Sequence, residues 1–555
     1  MNITTDQVNA GEEPRIDAGT TRAIVAASMG TVFEWYEFTL YGALTGVIAT
    51  NFFSQLDATS SFIFALLTFA VGFIMRPVGA VLFGRVGDLI GRKKTFMITI
   101  LLMGGSTVAV GFLPTYATLG IWAPILLITL RVLQGLAIGG EYGGAATYVA
   151  EHSPGHKRGI NTAWISSTGV IGLLMSFGLV LLCRMLIGNQ FDVWGWRLPF
   201  LFSAVLLAIS IVVRMKMAES PAFIKMKTEK RLSKSPLRET FGEWKNIRTL
   251  LVAFFGVCGG MTCAYYVALL YPTFFMTQSL KVDPQQATTM LTLAMLIGLP
   301  VFLFSGWLSD RIGRKPVLII GFGLSALLIM PIYKGLSLYA NPDLVHAQEN
   351  TPIALVADPK QCSFMFNPTG TRQFTSPCDV AKQALAAAGV SYETTYVEGA
   401  GQATIKVGDV DTPSFNAVGL SADDVKSRTK AMRDELRTSL DKAGFPLKAD
   451  PAKFDHVKVF LLLMALTFCG IFTYAPVTAA LVEMFPARIR YTGMSFPYHL
   501  ASGWVGGLLP TVAFAMSAQV GDIYYGLWYP VGWAALSFIV AILFLKETRR
   551  VDIEA

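Results

Sequence analysis

The sequence predicts an all-α polytopic membrane protein, with twelve transmembrane helices in two six-helix halves and a small α+β insertion outside the membrane. Of its 555 residues, 53% are hydrophobic and 15% are charged, whereas soluble domains carry about 25% charged residues. Many apolar stretches reach the roughly 20 residues that cross a bilayer. One polar motif occurs in each half, as GRVGDLIGRK from Gly84 and as GWLSDRIGRK from Gly306. Such repetition is typical of a duplicated membrane bundle.

The hydrophobic pattern places six spans in each half. The predicted spans are residues 24–49, 61–83, 95–113, 121–149, 161–183, 197–216, 249–276, 287–309, 316–338, 457–483, 493–517 and 524–546. The chain then divides into an N-terminal segment, a first half, a central loop, helices 7–9, an insertion, helices 10–12 and a tail. These are residues 1–23, 24–216, 217–248, 249–338, 339–456, 457–546 and 547–555.

The distribution of basic residues predicts the orientation. Lys and Arg are concentrated after spans 2, 4, 8 and 10 and in the central loop, whereas the opposite loops near 50–60, 114–120 and 518–523 have none. By the positive-inside rule both termini are cytoplasmic and the insertion is periplasmic. Lipid head groups explain the net charge of +8 better than nucleic acid does. The first 22 residues lack the pattern of a signal peptide, so we expect no cleaved leader.

The insertion is polar and contains no spanning run. We expect a helix from Cys378, a hairpin formed by residues 391–397 and 403–407, and a second helix that starts at Ser421. An oxidising exterior favours a disulfide between Cys362 and Cys378. Two free thiols are the alternative, because sequence alone gives no geometry.

Ionisable side chains inside the predicted spans are the strongest evidence for function, since an unpaired charge in hydrocarbon is costly. Glu34, Glu37 and Tyr41 share one helical face of the first span. Partly dehydrated carboxylates exchange protons near neutral pH. Both glutamates are therefore candidates for proton coupling, and Tyr41 is a candidate for substrate binding. The alternatives are that both glutamates are structural hydrogen-bond anchors, or that Glu34 lies near the cytoplasmic interface.

The second predicted span is interrupted by Arg76 and Pro77. Arginine supplies five fixed donors, so Arg76 is a candidate ligand for a substrate carboxylate. The alternative is an internal salt bridge to Glu34 or Glu37.

The fourth span carries Arg131, Gln134 and Glu141 on one stripe. Arg131 lies near the middle of the span, so it and Gln134 are candidates for binding an anionic substrate. Glu141 lies nearer the cytoplasmic end and is a candidate proton relay. The alternative for Glu141 is a salt bridge to a loop cation such as Arg158 or Arg85.

The repeated motif predicts a conformational latch at the inner face. Its glycines permit a sharp helix exit and close packing, and its aspartates accept hydrogen bonds from a neighbouring helix N-terminus. The predicted latch residues are Gly84, Asp88, Gly91, Arg92, Gly306, Asp310, Gly313 and Arg314. Residues at equivalent places after spans 4 and 10 extend it, namely Glu151, Arg158, Glu483 and Arg488.

In the second half, Tyr265, Tyr474 and His499 are candidates for lining a substrate cavity. For His499 the alternative is a packed, hydrogen-bonded residue without a direct role. The chain has no Walker loop, so ATP is not expected as the energy source. It also has no His/Cys cluster with metal-ligand spacing. We expect no enzyme activity, no metal and no cofactor, with the proton gradient as the energy source.

These motifs together resemble the major facilitator superfamily, and within it the bacterial metabolite:proton symporters, such as the proline/betaine, shikimate, 2-oxoglutarate and citrate permeases. They are the repeated motif, EWYE from Glu34, RPVG from Arg76, RVLQG from Arg131, GGEYGG from Gly139, ESPAF from Glu219 and FPARIRYTG from Phe485. The resemblance implies proton-coupled uptake by alternating access in a bacterial plasma membrane. Two features depart from it: Glu37 stands where the family usually has Asp, and the insertion is absent from the best-known members.

We therefore expect a monomeric symporter that imports a small polar metabolite with protons, contacts membrane lipids and binds no nucleic acid. Arg76 and Arg131 favour an organic acid, either a mono-, di- or tricarboxylate or a shikimate-like compound. A zwitterionic osmolyte such as proline or betaine is the alternative. A non-transporting sensor or scaffold that uses the external insertion is another. Export by proton antiport is disfavoured, because span five lacks the Gly-Pro-rich pattern of drug antiporters.

Overall fold

Long helices dominate the computed structural model, which describes residues 18–55, 58–365 and 374–553. The principal helices are α1 (Ala18–Ala43), α2 (Ala58–Ile90), α3 (Arg92–Phe112), α4 (Trp122–Glu151), α5 (Arg158–Ile187), α6 (Arg197–Met215), α7 (Trp244–Leu269), α8 (Pro284–Ile312), α9 (Arg314–Ala340), α10 (His456–Met484), α11 (Arg490–Val520) and α12 (Tyr525–Phe544). Short helices connect them, including Thr45–Phe52, Pro221–Thr228, Pro236–Gly242 and Pro342–Asn350.

Within the described residues, 11 helices are long and apolar enough to cross a membrane. They are α2 to α12, and α1 lies among them in the bundle. The polar residues of α1, including Glu34 and Glu37, reduce its hydropathy. Its extensive packing against α5, α4 and α6 nevertheless makes it part of the same bundle. The predicted first span therefore corresponds to a helix that the fold buries, although its composition is less apolar than that of the others.

The two halves pack by the same scheme. In the first half α1 lies on α5, α2 on α4, and α3 on α6. In the second half α8 lies on α10 and α9 on α12, while the π-helical segment Ala501–Gly506 of α11 lies on α7. The two most extensive contacts between the halves are those of α5 with α8 and of α2 with α11. Each of these pairs unites a helix that carries the repeated motif with a helix of the other half.

The repeated motif is helical for most of its length, so α2 extends past the predicted end of the second span at residue 83. Helix α2 continues through Gly84 and ends at Ile90, and α8 continues through Gly306. The chain breaks at a single glycine in each half, Gly91 with φ +115° and Gly313 with φ +110°. Residues with a Cβ rarely adopt such angles, which places the sharp exit at these glycines.

Helix α2 is also continuous through Arg76 and Pro77, contrary to the predicted interruption. Proline removes one backbone hydrogen bond, and the packing of α2 between α4 and α11 holds the helix together across that gap.

The insertion contains a four-stranded sheet in the order β2-β1-β3-β4. Its strands are β1 (Ile353–Ala357), β2 (Glu393–Tyr396), β3 (Thr404–Val407) and β4 (Val410–Pro413). The predicted hairpin of β2 and β3 was wrong, because β1 lies between them, parallel to β2 and antiparallel to β3. Strand β1 was missed because it is a short apolar run directly after a helix. The antiparallel neighbours along the chain are β3 and β4.

Two helices complete the insertion, Pro377–Ala388 and Ala422–Lys442, the second capped by Ser421 as its sequence predicts. Cys362 and Cys378, the pair singled out from the sequence, are joined in a disulfide with their Cα atoms 5.1 Å apart.

The insertion is attached to the second half near the ends of α7 and α11 that lie away from the repeated motif. Lys382 donates to the Gln519 carbonyl at 3.0 Å, and Tyr392 donates from its backbone to the Gly521 carbonyl at 2.6 Å. Lys281, beyond α7, donates to the Ala387 carbonyl at 2.8 Å. Burial lowers the pKa of both Lys382 and Lys281. The insertion is therefore fixed to the second half by several polar contacts.

Candidate functional site

A chain of buried hydrogen bonds links the predicted proton and substrate residues of the first half. Arg131 Nη1 donates to Gln134 Oε1 at 2.7 Å, and Gln134 Nε2 donates to Thr107 Oγ1 at 2.8 Å. Thr107 then donates to Glu37 Oε2 at 3.0 Å. All four side chains are buried. The structure thus joins three residues predicted from the sequence and adds Thr107 of α3, which the sequence reading missed.

Aromatic faces hold the guanidinium groups of both arginines predicted to bind substrate. The Arg76 Cζ atom lies 4.2 Å from the ring centroid of Phe38 and 4.6 Å from that of Phe73. The Arg131 Cζ atom lies 4.2 Å from the ring centroid of Tyr41, whose hydroxyl donates to the Ala65 carbonyl. Cation–π contacts of desolvated arginines are worth about 2 kcal/mol. Arg76 thus packs between rings and also contacts Tyr266, and no ion pair within the described residues joins it to Glu34 or Glu37.

Glu34 lies on α1, one turn from Glu37, and is 4% exposed. Its Oε2 atom accepts no hydrogen bond from any residue that the structure describes. The charges that act on Glu34 most strongly are those of Glu141 and Arg76. A buried carboxylate oxygen without a donor is costly, so this atom marks a position where a proton or a cationic group would be stabilised.

Glu141 has a partner that the sequence did not indicate. Arg214, in the last turn of α6, forms an ion pair with Glu141, and Thr99 of α3 donates to the same carboxylate at 2.7 Å. The loop cations suggested for this role lie elsewhere, and Arg158 pairs with Glu483 at 2.9 Å. Charge and hydrogen bonds therefore tie Glu141 to α3 and α6.

Aromatic side chains from both halves meet at the centre of the bundle. Tyr142 of α4 stacks on Tyr498 of α11 with ring centroids 4.0 Å apart. The Tyr498 hydroxyl lies 2.7 Å from that of Tyr474, which stacks on Tyr265 at 4.6 Å. A Cβ added to Gly169 of α5 would lie 3.2 Å from the Tyr265 hydroxyl. The predicted Tyr265 and Tyr474 are thus brought together opposite the first half.

His499 lies edge-on to the rings of Tyr142 and Tyr498 and is 1% exposed. Neither of its ring nitrogens hydrogen-bonds a described residue. Within the described residues, His499 is therefore packed but not hydrogen-bonded, unlike the packed, hydrogen-bonded histidine that was the alternative. Arg76 is the charged group that acts on it, so His499 and Arg76 face the same region between the halves.

A first charged cluster joins the halves at the end of the bundle that carries the repeated motif. We call it latch 1, and it consists of Asp88, Arg92, Glu151 and Arg490. Asp88 accepts from the backbone N–H groups of Tyr491 and Thr492 at 3.2 and 3.1 Å, at the start of α11. Arg92 pairs with Asp88 at 3.0 Å, and Arg490 with Glu151 at 2.7 Å.

A second cluster repeats this arrangement with the halves exchanged. Latch 2 consists of Asp310, Arg314, Glu483 and Arg158. Asp310 accepts from the backbone N–H groups of Gly159 and Ile160, both at 2.8 Å, at the start of α5. Arg314 pairs with Asp310 at 2.7 Å and with Glu483 at 3.1 Å. In both latches an aspartate of one half caps a helix of the other, where the helix dipole favours a carboxylate.

Two further glutamates complete the latches and were not found from the sequence. Glu219 accepts from the Arg92 backbone N–H at 3.0 Å, and Glu547 accepts from that of Arg314 at 2.9 Å. Each of these N–H groups belongs to the residue that directly follows a glycine with positive φ. The sequence pattern that could have identified these two glutamates is that each follows the last helix of its six-helix half. Arg488, by contrast, was wrongly included, because it is half exposed and pairs with Glu239 of the central loop.

Close packing at glycine accompanies these charges. The Cβ of an alanine at Gly84 would lie 2.8 Å from the Thr492 Cα atom. One at Gly306 would lie 2.7 Å from the Gly159 carbonyl oxygen. These glycines allow α2 to approach α11 and α8 to approach α5. The halves are therefore in backbone contact at this end of the bundle.

The C-terminal tail lies across the same end. Thr548 donates to Glu483 at 2.7 Å, and Arg490 donates to the Ile553 carbonyl at 2.7 Å. A cavity of about 370 Å³ lies between the tail and the start of α5, lined by Glu151, Arg158 and residues 549–553. No group of three or more His, Cys, Asp or Glu side chains with metal-binding geometry occurs within the described ranges.

Comparisons with known proteins agree with this architecture. Residues 27–333 match the model of the Major Facilitator Superfamily. The proline/betaine transporter of Salmonella typhimurium is 37% identical over 324 residues, which cover 57% of this chain and 64% of that protein. The shikimate transporter of Escherichia coli is 36% identical over 325 residues, 57% of this chain and 72% of that protein. The first of these matches spans less than two thirds of the relative.

Solved structures share the fold. The proton:xylose symporter XylE bound to 6-bromo-6-deoxy-D-glucose aligns with a TM-score of 0.59 over 97% of this chain and 98% of its own, at 15% sequence identity. A double tryptophan mutant of XylE aligns with a TM-score of 0.63 at 14% identity, over 96% of this chain and 98% of its own.

Proposed function

The chain belongs to the major facilitator superfamily, and from this premise we propose that it is a proton-coupled symporter that imports a small zwitterion of the proline/betaine class. The observation that carries the proposal is the buried combination of two arginines, two glutamates and a tyrosine cluster at the centre of the bundle. The tyrosine cluster consists of Tyr142, Tyr265, Tyr474 and Tyr498. Burying such charges in a membrane protein costs free energy, so their presence marks a substrate or ion pathway. Our expectation of an organic acid takes second place to the zwitterion for the reasons below.

The charges on the two sides of the site suit a zwitterion. Arg131 and Arg76 would face a carboxylate, and Glu34 offers an oxygen without a described donor to a cationic group. The faces of Tyr142, Tyr498 and Tyr265 would add attraction for an ammonium or quaternary ammonium group. A plain dicarboxylate would use the arginines but would be repelled by the glutamates.

The relatives favour the same alternative. A proline/betaine transporter and a glycine betaine/proline/ectoine/pipecolic acid transporter are 37% and 38% identical to this chain. A shikimate transporter is 36% identical, so the organic acid is the second candidate. The names of these proteins support the class of substrate and leave its individual identity to experiment.

In the proposed cycle, the latches close the inner side of an inner-membrane protein whose termini are cytoplasmic and whose insertion is periplasmic. The substrate and a proton would bind from outside, at the tyrosine cluster and at Glu37 or Glu34. Opening would break both latches as the halves rock apart. Ligands drive such a change only when they bind the two states with different affinity.

The decisive test uses the full chain in proteoliposomes that contain a pH dye. Proline, glycine betaine, shikimate and 2-oxoglutarate are added in turn, and internal acidification reports proton-coupled entry. Arg131→Ala is expected to abolish entry, because it removes the donor that begins the buried hydrogen-bond chain. Arg184→Ala is the matched control, since Arg184 is half exposed and pairs with the exposed Asp192.

Acidification with proline or betaine alone would establish the zwitterion. Acidification with shikimate or 2-oxoglutarate alone would establish the organic acid instead. Alkalinisation would identify an antiporter. If no compound moves protons through folded protein, the transport proposal fails and the sensor hypothesis gains.

A further inference from the structure

We propose that Thr107 on α3 is a positioning residue that transmits the protonation state of Glu37 to the substrate-binding residues of α4. The inference rests on the proposed proton-coupled symport. Thr107 is fully buried, and its hydroxyl lies 3.0 Å from Glu37 Oε2 and 3.0 Å from the Met103 carbonyl. The same oxygen accepts a hydrogen bond from Gln134 at 2.8 Å. Thr107 is thus shared by a carboxylate, a backbone carbonyl and a residue of the candidate substrate site.

The Thr107 hydroxyl has one hydrogen but two possible acceptors, Glu37 Oε2 and the Met103 carbonyl, so it donates to one of them at a time. A threonine hydroxyl donates once and accepts up to twice. When Glu37 is a carboxylate, Thr107 donates to Glu37. When a proton binds at Glu37 Oε2, that new O–H group donates to Thr107, and the threonine hydrogen rotates toward the Met103 carbonyl. Every group keeps a partner in both states, while the direction of one hydrogen bond reverses.

The reversal changes how strongly Arg131 is held. With Glu37 ionised, the bonds from Arg131 to Gln134, to Thr107 and to Glu37 all point the same way, and hydrogen bonds in such a chain strengthen one another. With Glu37 protonated, Thr107 accepts from both sides and the chain is interrupted. Arg131 and Gln134 keep their bonds but are held less strongly, so they turn more readily to a substrate carboxylate. Proton binding would favour substrate binding, and by linkage substrate would favour proton binding.

Several charged groups lie near Glu37, but Thr107 is the described residue that hydrogen-bonds it. The groups that act on Glu37 from the neighbouring helices are Glu141 of α4 and Arg214 of α6, with Glu34 on α1 itself. Helix α5, which packs along α1, carries its arginines at its two ends, Arg158 and Arg184. Among the described residues, Thr107 is the one whose side chain hydrogen-bonds Glu37.

Helix α3 also connects the hydrogen-bond chain between Arg131 and Glu37 to latch 1. It begins at Arg92 of latch 1, and Thr99, two turns before Thr107, donates to Glu141. Glu37 and Glu141 therefore both accept hydrogen bonds from α3, and the first residue of this helix lies between the halves.

The test compares Thr107→Val, which removes the hydroxyl at constant shape, with Thr107→Ser, which keeps it. Thr95→Val is the matched control, because the Thr95 hydroxyl lies on the same helix and donates to the Gly91 carbonyl just before that helix, not to a glutamate. Radiolabelled glycine betaine is the probe, and full-length protein in proteoliposomes is used throughout. Two quantities are measured: betaine affinity at an acidic and an alkaline pH, and betaine exchange at saturating concentration without a proton gradient.

Thr107→Val is expected to reduce the gain in affinity at acidic pH by about fivefold or more, with exchange maintained. Thr107→Ser and Thr95→Val are expected to behave like the wild type. A wild-type affinity gain in Thr107→Val would overturn the inference, and so would a serine variant as defective as the valine variant. A wild type that neither binds betaine nor acidifies the lumen would instead refute the proposed substrate class, which separates the two failures.

Discussion

Replacing Asp88 by Asn is expected to open the latch end of the bundle. Asp88 is 1% exposed and receives four donors: the Arg92 guanidinium, the Tyr491 and Thr492 backbone N–H groups, and the Thr492 hydroxyl. Two of these, both from Thr492, contact Oδ2 at 3.1 and 2.8 Å. An asparagine that keeps Oδ1 in place presents its NH₂ group to them, so the interaction with the backbone N–H is lost.

The magnitude follows from these contacts. A hydrogen bond to a charged group contributes about 1.5–3 kcal/mol, and breaking a buried ion pair costs about 3–5 kcal/mol. Asparagine retains part of both interactions, so we expect the closed state to lose about 3 kcal/mol relative to the open state, or about 150-fold in population. In the open state water would solvate the same groups, so the loss falls on the closed state alone.

The assay measures the distance between spin labels at two exposed residues at this end, Arg85 on α2 and Arg311 on α8. The wild type should give one short distance, and Asp88→Asn should give a population at longer distance. Asp192→Asn, which alters an exposed ion pair, is the control and should leave the distribution unchanged. A wild-type distribution in correctly folded Asp88→Asn protein would refute the assignment of latch 1 as a lock between the halves.

Three other perturbations test separate features. Gly313→Ala should destabilise the fold by more than about 1 kcal/mol, because φ is +110° and the added Cβ would crowd Glu547; an unchanged melting temperature in detergent would contradict this. Truncation after Glu547 removes the bonds from Thr548 and to Ile553 and should increase cysteine labelling at the latch end, whereas wild-type labelling would show that the tail does not support closure. Reduction of the Cys362–Cys378 disulfide, which closes a loop of sequence separation 16, should cost about 3 kcal/mol and make the insertion more sensitive to protease, an effect that a reductant-insensitive digestion pattern would exclude.

Several features were predictable because they depend on local composition. Apolar runs of sufficient length identified the helices α2 to α12, since the bilayer requires a long, continuous hydrophobic segment. The ends were less well placed, because α2 ends at Ile90 and not at residue 83, and α7 ends at Leu269 and not at residue 276. The repeated motif identified the duplication and the aspartates that cap helices. Periodicity placed Arg131 and Gln134 on one face of α4, where the structure finds them hydrogen-bonded.

Other features depended on which helices become neighbours. The pairing of Glu141 with Arg214 joins residues of α4 and α6, and Asp88 reaches Thr492 at a sequence separation of 404. Helical periodicity gives each residue a face but does not say which face of another helix it meets. Thr107 escaped notice for the same reason, because a hydroxyl in an apolar span has no sequence signal until a carboxylate is placed beside it.

The sequence by itself determined the membrane class, the duplicated halves, the folded insertion and the ionisable residues worth examining. It did so because the hydrophobic effect and the cost of burying charge act on composition and spacing alone. Only the tertiary structure decided the partners of those residues: the aromatic faces that hold Arg76 and Arg131, the exchange of capping aspartates between the halves, and the position of β1 between β2 and β3. Those choices arise from packing between distant segments, where shape and hydrogen-bond geometry select one arrangement among many that the pattern allows.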